Sequence, residues 1–435
     1  MNVASLSGAD ATLAMVRMTT ARARIRSSAR RRVLFVGEAS TLAHAARPIA
    51  LAAALPPDRY DVTLACPETY FHWVPDHVAT VQLATQPPRQ FLARVANGRP
   101  PFDRATLERY VTDDLELLAR LRPDVVIGDA RLSLAASARL ATTPYIALSN
   151  AYWHPHRVFH PELPVLRWMR GLPLAPSLAL FPITAPLALR WTAAPIHQVL
   201  AAHGVDIRGD IRRAWTEADL TLYADIPQLF PEVSPDDRYQ FLGPIAWEPP
   251  TSLPSWWNLI PGDRPVVYLT MGSSGHVRAL SVILEALRAL DWVALVATAG
   301  RADVVGEDRR VFVADFLPGA AASARADMVI CNGGSPTTTQ ALLAGRPVLG
   351  VCANEDQFLN MQVVAASGAG AKLRADRLTP AMIAQALTRL RAPEHARAAQ
   401  SLAASGAALD SIAIVTQAID ELAARRPGQT LKSTS

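Results

Sequence analysis

The residues best placed to do chemistry stand just after short apolar runs. After Arg32–Gly37 comes Glu38-Ala-Ser-Thr-Leu-Ala-His44-Ala-Ala-Arg-Pro48, and the run Val125-Val-Ile-Gly-Asp129 ends on a carboxylate. An imidazole backed by a carboxylate makes a general base, because the ring takes the proton while the carboxylate fixes its tautomer and stabilises the imidazolium. Taken singly, His44 reads equally well as a surface or helix-capping residue. In the second half, Asn332-Gly-Gly-Ser-Pro-Thr-Thr-Thr-Gln340 follows Asp327–Cys331. Gly333 and Gly334 let backbone amides approach a ligand closely, and a helix N-terminus bearing Ser335, Thr337 and Thr338 adds donors, which suits a phosphate. A Gly-rich turn capped by Ser or Thr is also how any strand enters a helix. Asn354-Glu-Asp-Gln357 follows the next run, Arg346–Val351. Asp356 and Gln357 place acceptors and donors side by side, as several sugar hydroxyls require, although Asp356 reads as a simple N-cap too. Met271-Gly272-Ser273-Ser-Gly275 supplies small residues and hydroxyls, and Phe316-Leu317-Pro318 an aromatic face that either stacks on a base or fills a core.

Elements must bring these pieces together. From Arg31 onward, short β-branched runs alternate with amphipathic stretches, the pattern of parallel strands joined by crossover helices. Strands are expected at Arg32–Gly37, Tyr60–Cys66, Asp124–Asp129, Pro144–Ser149 and Leu220–Tyr223. A second series is expected at Pro265–Met271, Trp292–Thr298, Arg310–Ala314, Asp327–Cys331 and Arg346–Val351. The Pro-rich stretch between them continues neither a helix nor a central strand. The predicted fold class is therefore α/β, with two doubly wound domains at 32–243 and 265–404 and a linker at 244–264. A C-terminal helix is expected within 405–424, with Ser405 as its cap and Leu409, Ile412, Ile414, Ala418, Ile419 and Leu422 on its apolar face. Ligands of such sheets bind beyond the carboxyl ends of the strands, where the candidate residues lie.

Composition excludes several classes. Net charge is 43 − 38 = +5, but the first 32 residues hold seven Arg against Asp10 alone, leaving 36 − 37 = −1 for the remainder. The basic character belongs to a tail over 1–31, read as disordered or artefactual, and nucleic acid is not expected as a partner. Cys66, Cys331 and Cys352 fit no metal-ligand spacing, which suits a reducing, cytoplasmic compartment. Gly171–Leu189 is 19 residues without a charge. Pro173, Pro176, Pro182 and Pro186 argue against a membrane span, so an irregular apolar loop is predicted, covering a pocket or touching a membrane surface. Trp153-His154-Pro-His156 with His160 resembles a zinc pattern, but Pro155 and the aromatics suit a pocket loop better, and no metal is expected.

In order and spacing these pieces resemble the UDP-glycosyltransferase superfamily, the family 1 glycosyltransferases, over about Arg32–Leu422. The resemblance implies the GT-B fold, two facing Rossmann-like domains with a cleft between them. The family's donor motif runs His-Gly-Gly, a variable residue, Gly-Thr, two more, then Glu-Ala-Leu, followed by Gly-Val-Pro and Asp-Gln. Here it stands as Asn332-Gly-Gly-Ser-Pro-Thr337, Gln340-Ala-Leu342, Gly345-Arg-Pro347 and Asp356-Gln357. The resemblance implies that Gly333, Gly334, Ser335 and Thr337 meet a diphosphate, Gln340 the ribose, Asp356 and Gln357 the sugar, and Phe316 with Leu317 the base. Gly272 and Ser273 border the same edge. His44, four residues before Pro48 where the family usually has three, matches the catalytic His, and Asp129 its partner. Asn332, Pro336 and Gln340 depart from the family's His, Gly and Glu; Asn332 donates an N–H without becoming cationic, and Gln340 keeps an acceptor without charge. The implied activity is inverting transfer of a sugar from a UDP or dTDP sugar, a co-substrate rather than a cofactor, to a hydroxyl of a lipophilic small-molecule or lipid acceptor. The alternatives are a catalytically inactive nucleotide-sugar-binding partner and a sugar-nucleotide epimerase of the same fold.

Overall fold

A computed structural model describes residues 30–158, 160–169, 173–272, 275–276, 278–301, 303–304, 306 and 309–424. The first sheet is built from β1 (Arg31–Gly37), α1 (Leu42–Ala54), β2 (Tyr60–Cys66), β3 (Ala79–Gln82), α2 (Pro88–Ala96), α3 (Arg104–Leu121), β4 (Val125–Asp129), α4 (Leu134–Leu140), β5 (Tyr145–Ser149), α5 (Leu174–Ala202), α6 (Ile211–Trp215), β6 (Leu220–Tyr223) and β7 (Tyr239–Phe241). Its strands lie in the order β3-β2-β1-β4-β5-β6-β7, with every pairing parallel. The second contains β8 (Val266–Thr270), α7 (Ala279–Ala289), β9 (Val293–Ala297), β10 (Val311–Ala314), α8 (Gly319–Arg325), β11 (Met328–Cys331), α9 (Ser335–Leu343), β12 (Val348–Cys352), α10 (Glu355–Ala366) and β13 (Gly370–Arg374). Its order is β10-β9-β8-β11-β12-β13, again parallel throughout. Both sheets reverse direction of growth beside their first strand, at β1/β4 and at β8/β11, which opens a crevice at each switch point. Asp129 ends β4 and His44, Gly272 and Asn332 follow the other three strands, while Phe316 and Asp356 follow β10 and β12 of the second sheet.

All ten expected strands are present within a residue or two of their predicted limits. The three that were not anticipated, β3, β7 and β13, are all edge strands. An edge strand buries less of each face and can lack a continuous apolar run, as these three do, although the edge strand β10 keeps one; no residue of β3 is buried. The basic tail lies outside the described residues except for Arg30 and Arg31, and Arg31 belongs to β1.

Two expectations are corrected. The stretch predicted as an irregular loop over 171–189 is helical from Leu174 and continues to Ala202. Pro173 caps this helix and Pro176 sits in its first turn, where backbone N–H groups have no intrahelical partner in any case. Pro182, Pro186 and Pro195 lie inside it. They deprive the carbonyls of Leu178, Pro182 and Trp191 of their donors, and all three residues are exposed, where water is available to replace the lost bonds. The C-terminal helix is also divided: α11 (Pro380–Leu390) and α12 (Pro393–Ala407) are followed by α13 (Ser411–Ala424), and Ser405 lies inside α12. Asp410 caps α13 by accepting from the Ile412 and Ala413 amides at 3.1 and 2.9 Å. Val415, Ala418, Ile419 and Leu422 pack into the core of the first sheet with Phe35 and Ile146, so the chain crosses back to the first domain.

Beneath the first crevice lies a buried charge cluster. Arg131, two residues past β4, donates to Asp114 of α3 at 2.9 Å and to Glu38 beyond β1 at 3.1 Å. Its guanidinium lies 3.5 Å from the Tyr110 ring centroid, while the Tyr110 hydroxyl donates to Glu38 and Ser133 and Ser137 donate to Asp114. Burial pushes both carboxyls above their ordinary range, and Arg131 opposes that push. Arg131→Met should cost about 3–5 kcal/mol, the usual penalty for leaving buried carboxylates unpaired. Urea unfolding checks this, and a loss below about 1 kcal/mol would remove the cluster's structural role.

Candidate active site

His44 occupies the first turn of α1, and Arg47 lies one turn further along the same face. β4 delivers Asp129 opposite them, where Ala130 turns at φ 58° and the Glu38 amide donates to the Asp129 carbonyl at 3.1 Å. The His44 Nδ1 is 2.8 Å from Asp129 Oδ1, with Asp129 fully buried and the imidazole partly open to the cleft. With Nδ1–H given to the carboxylate, Nε2 keeps the lone pair that a base needs. The ring stacks on Trp215 with centroids 6.2 Å apart.

Asp129 also holds Arg47, which donates from Nε to Oδ2 at 2.7 Å and from Nη2 to Oδ1 at 2.9 Å. One carboxylate is thus shared between imidazole and guanidinium. From Nη1, Arg47 donates to Asn150 just beyond β5 at 2.8 Å. Asn150 in turn donates to Asp225 at 2.9 Å and across the cleft to the Ser335 hydroxyl at 3.1 Å. Burial raises the Asp225 carboxyl to about 6.

On the second domain, Gly333 turns the chain at φ 81° and Gly334 caps α9. Gly334, Ser335 and Thr337 face the cleft. Gly333 does not: a Cβ there would lie 2.7 Å from Met361, and its carbonyl accepts from Asn360 at 2.8 Å, so its part is the turn itself. Asn332 is buried and accepts from the Gly334 amide at 3.0 Å, shaping the same turn. Gly272 borders the cleft, and its carbonyl accepts from Arg301 at 2.8 Å; Ser273 lies outside the described residues. Gln340 donates to the Trp247 carbonyl at 3.2 Å and to Glu248 at 3.4 Å, while Glu248 accepts from the Ala320 amide at 2.8 Å. Phe316 is 48% exposed over the cleft beside the buried Leu317. Asp356 accepts on Oδ1 from the Tyr152 hydroxyl at 2.9 Å and from the Trp153 indole at 3.1 Å. Gln357 closes a capping box with Asn354, and its Oε1 accepts from the Ala353 amide at 2.8 Å.

These groups surround one cavity of about 580 Å³ between the sheets. His44 and Asp129 stand on one wall, with Asn332, Ser335, Asp356 and Gln340 across from them. Its apolar lining comes from Trp73, Phe91, Trp153, Phe181, Trp215 and Trp247. Of the predicted His-rich loop, Trp153 faces the cavity, whereas His154 is buried against the Tyr223 hydroxyl at 2.8 Å. Burial lowers that imidazole to about 4. Among the described residues no cluster of three His, Cys, Asp or Glu side chains could hold a metal ion.

Sequence reasoning missed Arg47, Asn150, Glu248 and Arg301. The first was legible as a cation one helical turn after His44. The other three come from segments with no motif and enter the site only through the tertiary fold. Glu355, beside Asp356, was passed over as well; burial raises its carboxyl to about 7, with Asp210 and Asp356 adding to the shift.

Residues 281–422 match the family described as Erythromycin biosynthesis protein CIII-like, C-terminal domain. A PGL/p-HBAD biosynthesis glycosyltransferase of Mycobacterium tuberculosis is 42% identical over 381 residues, covering 86% of this chain and 88% of its own. A PGL/p-HBAD biosynthesis rhamnosyltransferase of Mycobacterium bovis is 43% identical over 377 residues, covering 86% and 84%. A relative named an inactive PGL/p-HBAD biosynthesis glycosyltransferase, also from Mycobacterium bovis, is 40% identical over 264 residues, or 59% of this chain and 71% of its own. Among solved structures, the glycosyltransferase VinC in complex with dTDP superposes with a TM-score of 0.63 at 20% identity, covering 91% of this chain and all of its own. The chain folds as two Rossmann-like domains in the GT-B arrangement, is over two-fifths identical to named glycosyltransferases within an alignment that spans most of its length, and belongs to the family 1 UDP-glycosyltransferases as a glycosyltransferase.

Proposed function

We propose that the enzyme transfers a sugar with inversion from a UDP or dTDP sugar to a hydroxyl of a lipophilic acceptor. The carrying observation is the His44–Asp129 pair at 2.8 Å, facing the N-terminus of α9 across a single, largely apolar cavity. An acceptor hydroxyl seated among Phe91, Trp153, Phe181 and Trp215 gives its proton to His44 Nε2 as its oxygen attacks the anomeric carbon. The diphosphate leaves from the opposite face, so one displacement inverts that carbon. Asp129 holds the ring and stabilises the imidazolium. The relatives' names, which place them in PGL/p-HBAD biosynthesis, support a lipophilic acceptor, and the rhamnosyltransferase among them supports a hexose of that class.

The departures from the donor motif have neighbours that supply what is missing. The Ser335 and Thr337 hydroxyls and the helix dipole receive the diphosphate, and Arg301 provides the cation that Asn332 cannot. Gln340 stands against Glu248, whose carboxylate serves the ribose hydroxyls in place of the motif's Glu. Asp356 meets the transferred sugar, oriented by Tyr152 and Trp153. The inactive relative makes a binding-only protein the second reading; the complete base pair here favours catalysis.

His44→Ala should slow transfer by about 10²–10⁴-fold with donor affinity nearly unchanged, and Asp129→Asn less severely. Rates and donor calorimetry on the same folded preparation check this; wild-type turnover would reject the base assignment. Arg47→Met should lower kcat/KM by about tenfold or more, because it leaves the buried Asp129 without the guanidinium that fixes both its oxygens. A folded variant with wild-type kcat/KM would remove Arg47 from the site. Arg301→Gln should weaken a nucleoside diphosphate and its sugar conjugate equally, by about tenfold, while leaving free nucleoside binding intact. Equal losses for the nucleoside in titration calorimetry would place Arg301 away from the phosphates.

A further inference from the structure

Helix α5 is one wall of the cavity and carries apolar residues on two opposite faces. Its inner face is built from Ala185, Leu189, Ala193 and Ile196, all buried and the last three in a core cluster of the first domain, with Phe181 and Ala188 beside them on the cavity. Leu180, Ile183, Leu187 and Trp191 recur at helical spacing on the outer face and are 57, 74, 68 and 53% exposed. None of the four lines the cavity. A stripe of four large exposed apolar side chains is more than the scattered hydrophobics of an ordinary surface.

Two segments of the chain, one of them α5 and the stretch that leads into it, carry arginines and no acids. No acidic residue occurs between Asp76 and Asp103 or between Glu162 and Asp206, the two segments that form this end of the cavity. Arg89, Arg99, Arg167 and Arg190 from those segments are exposed. Trp168 adds a further ring, 62% exposed. An apolar stripe with Arg190 on the same helix, and with Arg167 and an exposed indole in the segment before it, matches the chemistry of an anionic bilayer surface: acyl chains meet the stripe, and headgroup phosphates meet the guanidinium groups.

Length and composition would let α5 cross a membrane, but its fixed inner face excludes that. Withdrawing Ala185, Leu189 and Ala193 from the core would expose the cavity wall. A span would also carry the proline-freed carbonyls into hydrocarbon, where nothing satisfies them. Lying flat, the helix keeps its flank of Pro182, Pro186 and Arg190 at the aqueous boundary.

We propose that α5 docks the enzyme on an anionic lipid surface, lying in the interfacial plane with Leu180, Ile183, Leu187 and Trp191 toward the acyl chains. The cavity then opens one helix away from the bilayer, so a lipophilic acceptor enters beside α5 without crossing water. The docking stands on the exposed face alone; the route of entry rests on the lipophilic acceptor proposed above.

The test is cosedimentation of the full chain with vesicles of phosphatidylglycerol and phosphatidylcholine, against vesicles of phosphatidylcholine alone. The wild type should bind the anionic vesicles, and more weakly in 1 M salt, where the Debye length falls to about 3 Å. The quadruple variant Leu180→Gln, Ile183→Gln, Leu187→Gln, Trp191→Gln should lose at least about tenfold in vesicle partition, since each lost apolar contact weakens insertion. Its transfer to a water-soluble acceptor and its thermal melting should stay at the wild-type level. Wild-type protein that ignores anionic vesicles, or a folded variant that binds them equally, overturns the proposal. So does a wild-type dimer, found by analytical ultracentrifugation, that these substitutions disperse without any vesicle binding, for then a second copy covers the stripe. Vesicle binding is read without donor or acceptor, so failure of the catalytic reading would leave this result standing and be recognised separately.

Discussion

A single buried guanidinium ties together the parts of the first domain that matter for chemistry. Arg131 joins the segment after β1, through Glu38, to α3, through Asp114, from its own position two residues beyond Asp129. Two carboxylates withdrawn from water are costly, and only a well-placed cation with added hydroxyl donors offsets that cost. The geometry is accordingly narrow. With the ends of β1 and β4 fixed against each other, His44 at the head of α1 and Asp129 at the end of β4 have little freedom to part. Ala130, held at positive φ between Asp129 and Arg131, is a local strain that this cluster sustains.

Above this layer the polar network continues without interruption to the other domain. Asp129 holds Arg47, Arg47 holds Asn150, and Asn150 reaches Ser335 at the start of α9. A second link runs from Tyr152 and Trp153 to Asp356, and the backbone closes a third, with the Val165 amide donating to the Ala353 carbonyl at 2.7 Å. Glu162 pairs with Lys372 along the same seam. The bonds to Ser335 and Asp356 occupy groups that a diphosphate and a sugar would use. On the donor placement proposed above, donor binding exchanges contacts between domains for contacts with ligand.

The segment between the sheets is part of the site and not a passive tether. Trp247 packs on Trp73 of the first domain with ring centroids 5.2 Å apart, Glu248 meets Gln340 and the start of α8, and Trp256 packs on Phe312. Prolines give this stretch a fixed course with no sheet partner to satisfy, which lets it carry a carboxylate to a defined place. Glu248 near Gln340 and Arg301 near Gly272 thus border the cleft from outside the motif, which is the basis for proposing that they supply its missing charges.

The sequence by itself determined the two-sheet α/β order, the central strands and the four strand ends where chemistry gathers. Central parallel strands are buried on both faces and must be continuously apolar, and the turns beyond them must carry glycine and small hydroxyl residues, so both leave a local imprint. His44, Asp129, Asn332 and Asp356 were legible for that reason. The edge strands β3, β7 and β13 were not, because half-exposed residues carry no comparable pattern. The helical state of 174–202 was hidden by its prolines, whose cost depends on whether the freed carbonyls meet water, and only the packed structure decides that. Arg47, Asn150, Glu248 and Arg301 likewise acquire their roles from contacts between residues far apart in the chain. Spacing along one segment reports periodicity and turns; which charges share Asp129, or which carboxylate stands beside Gln340, is fixed only when the two sheets close on one cavity.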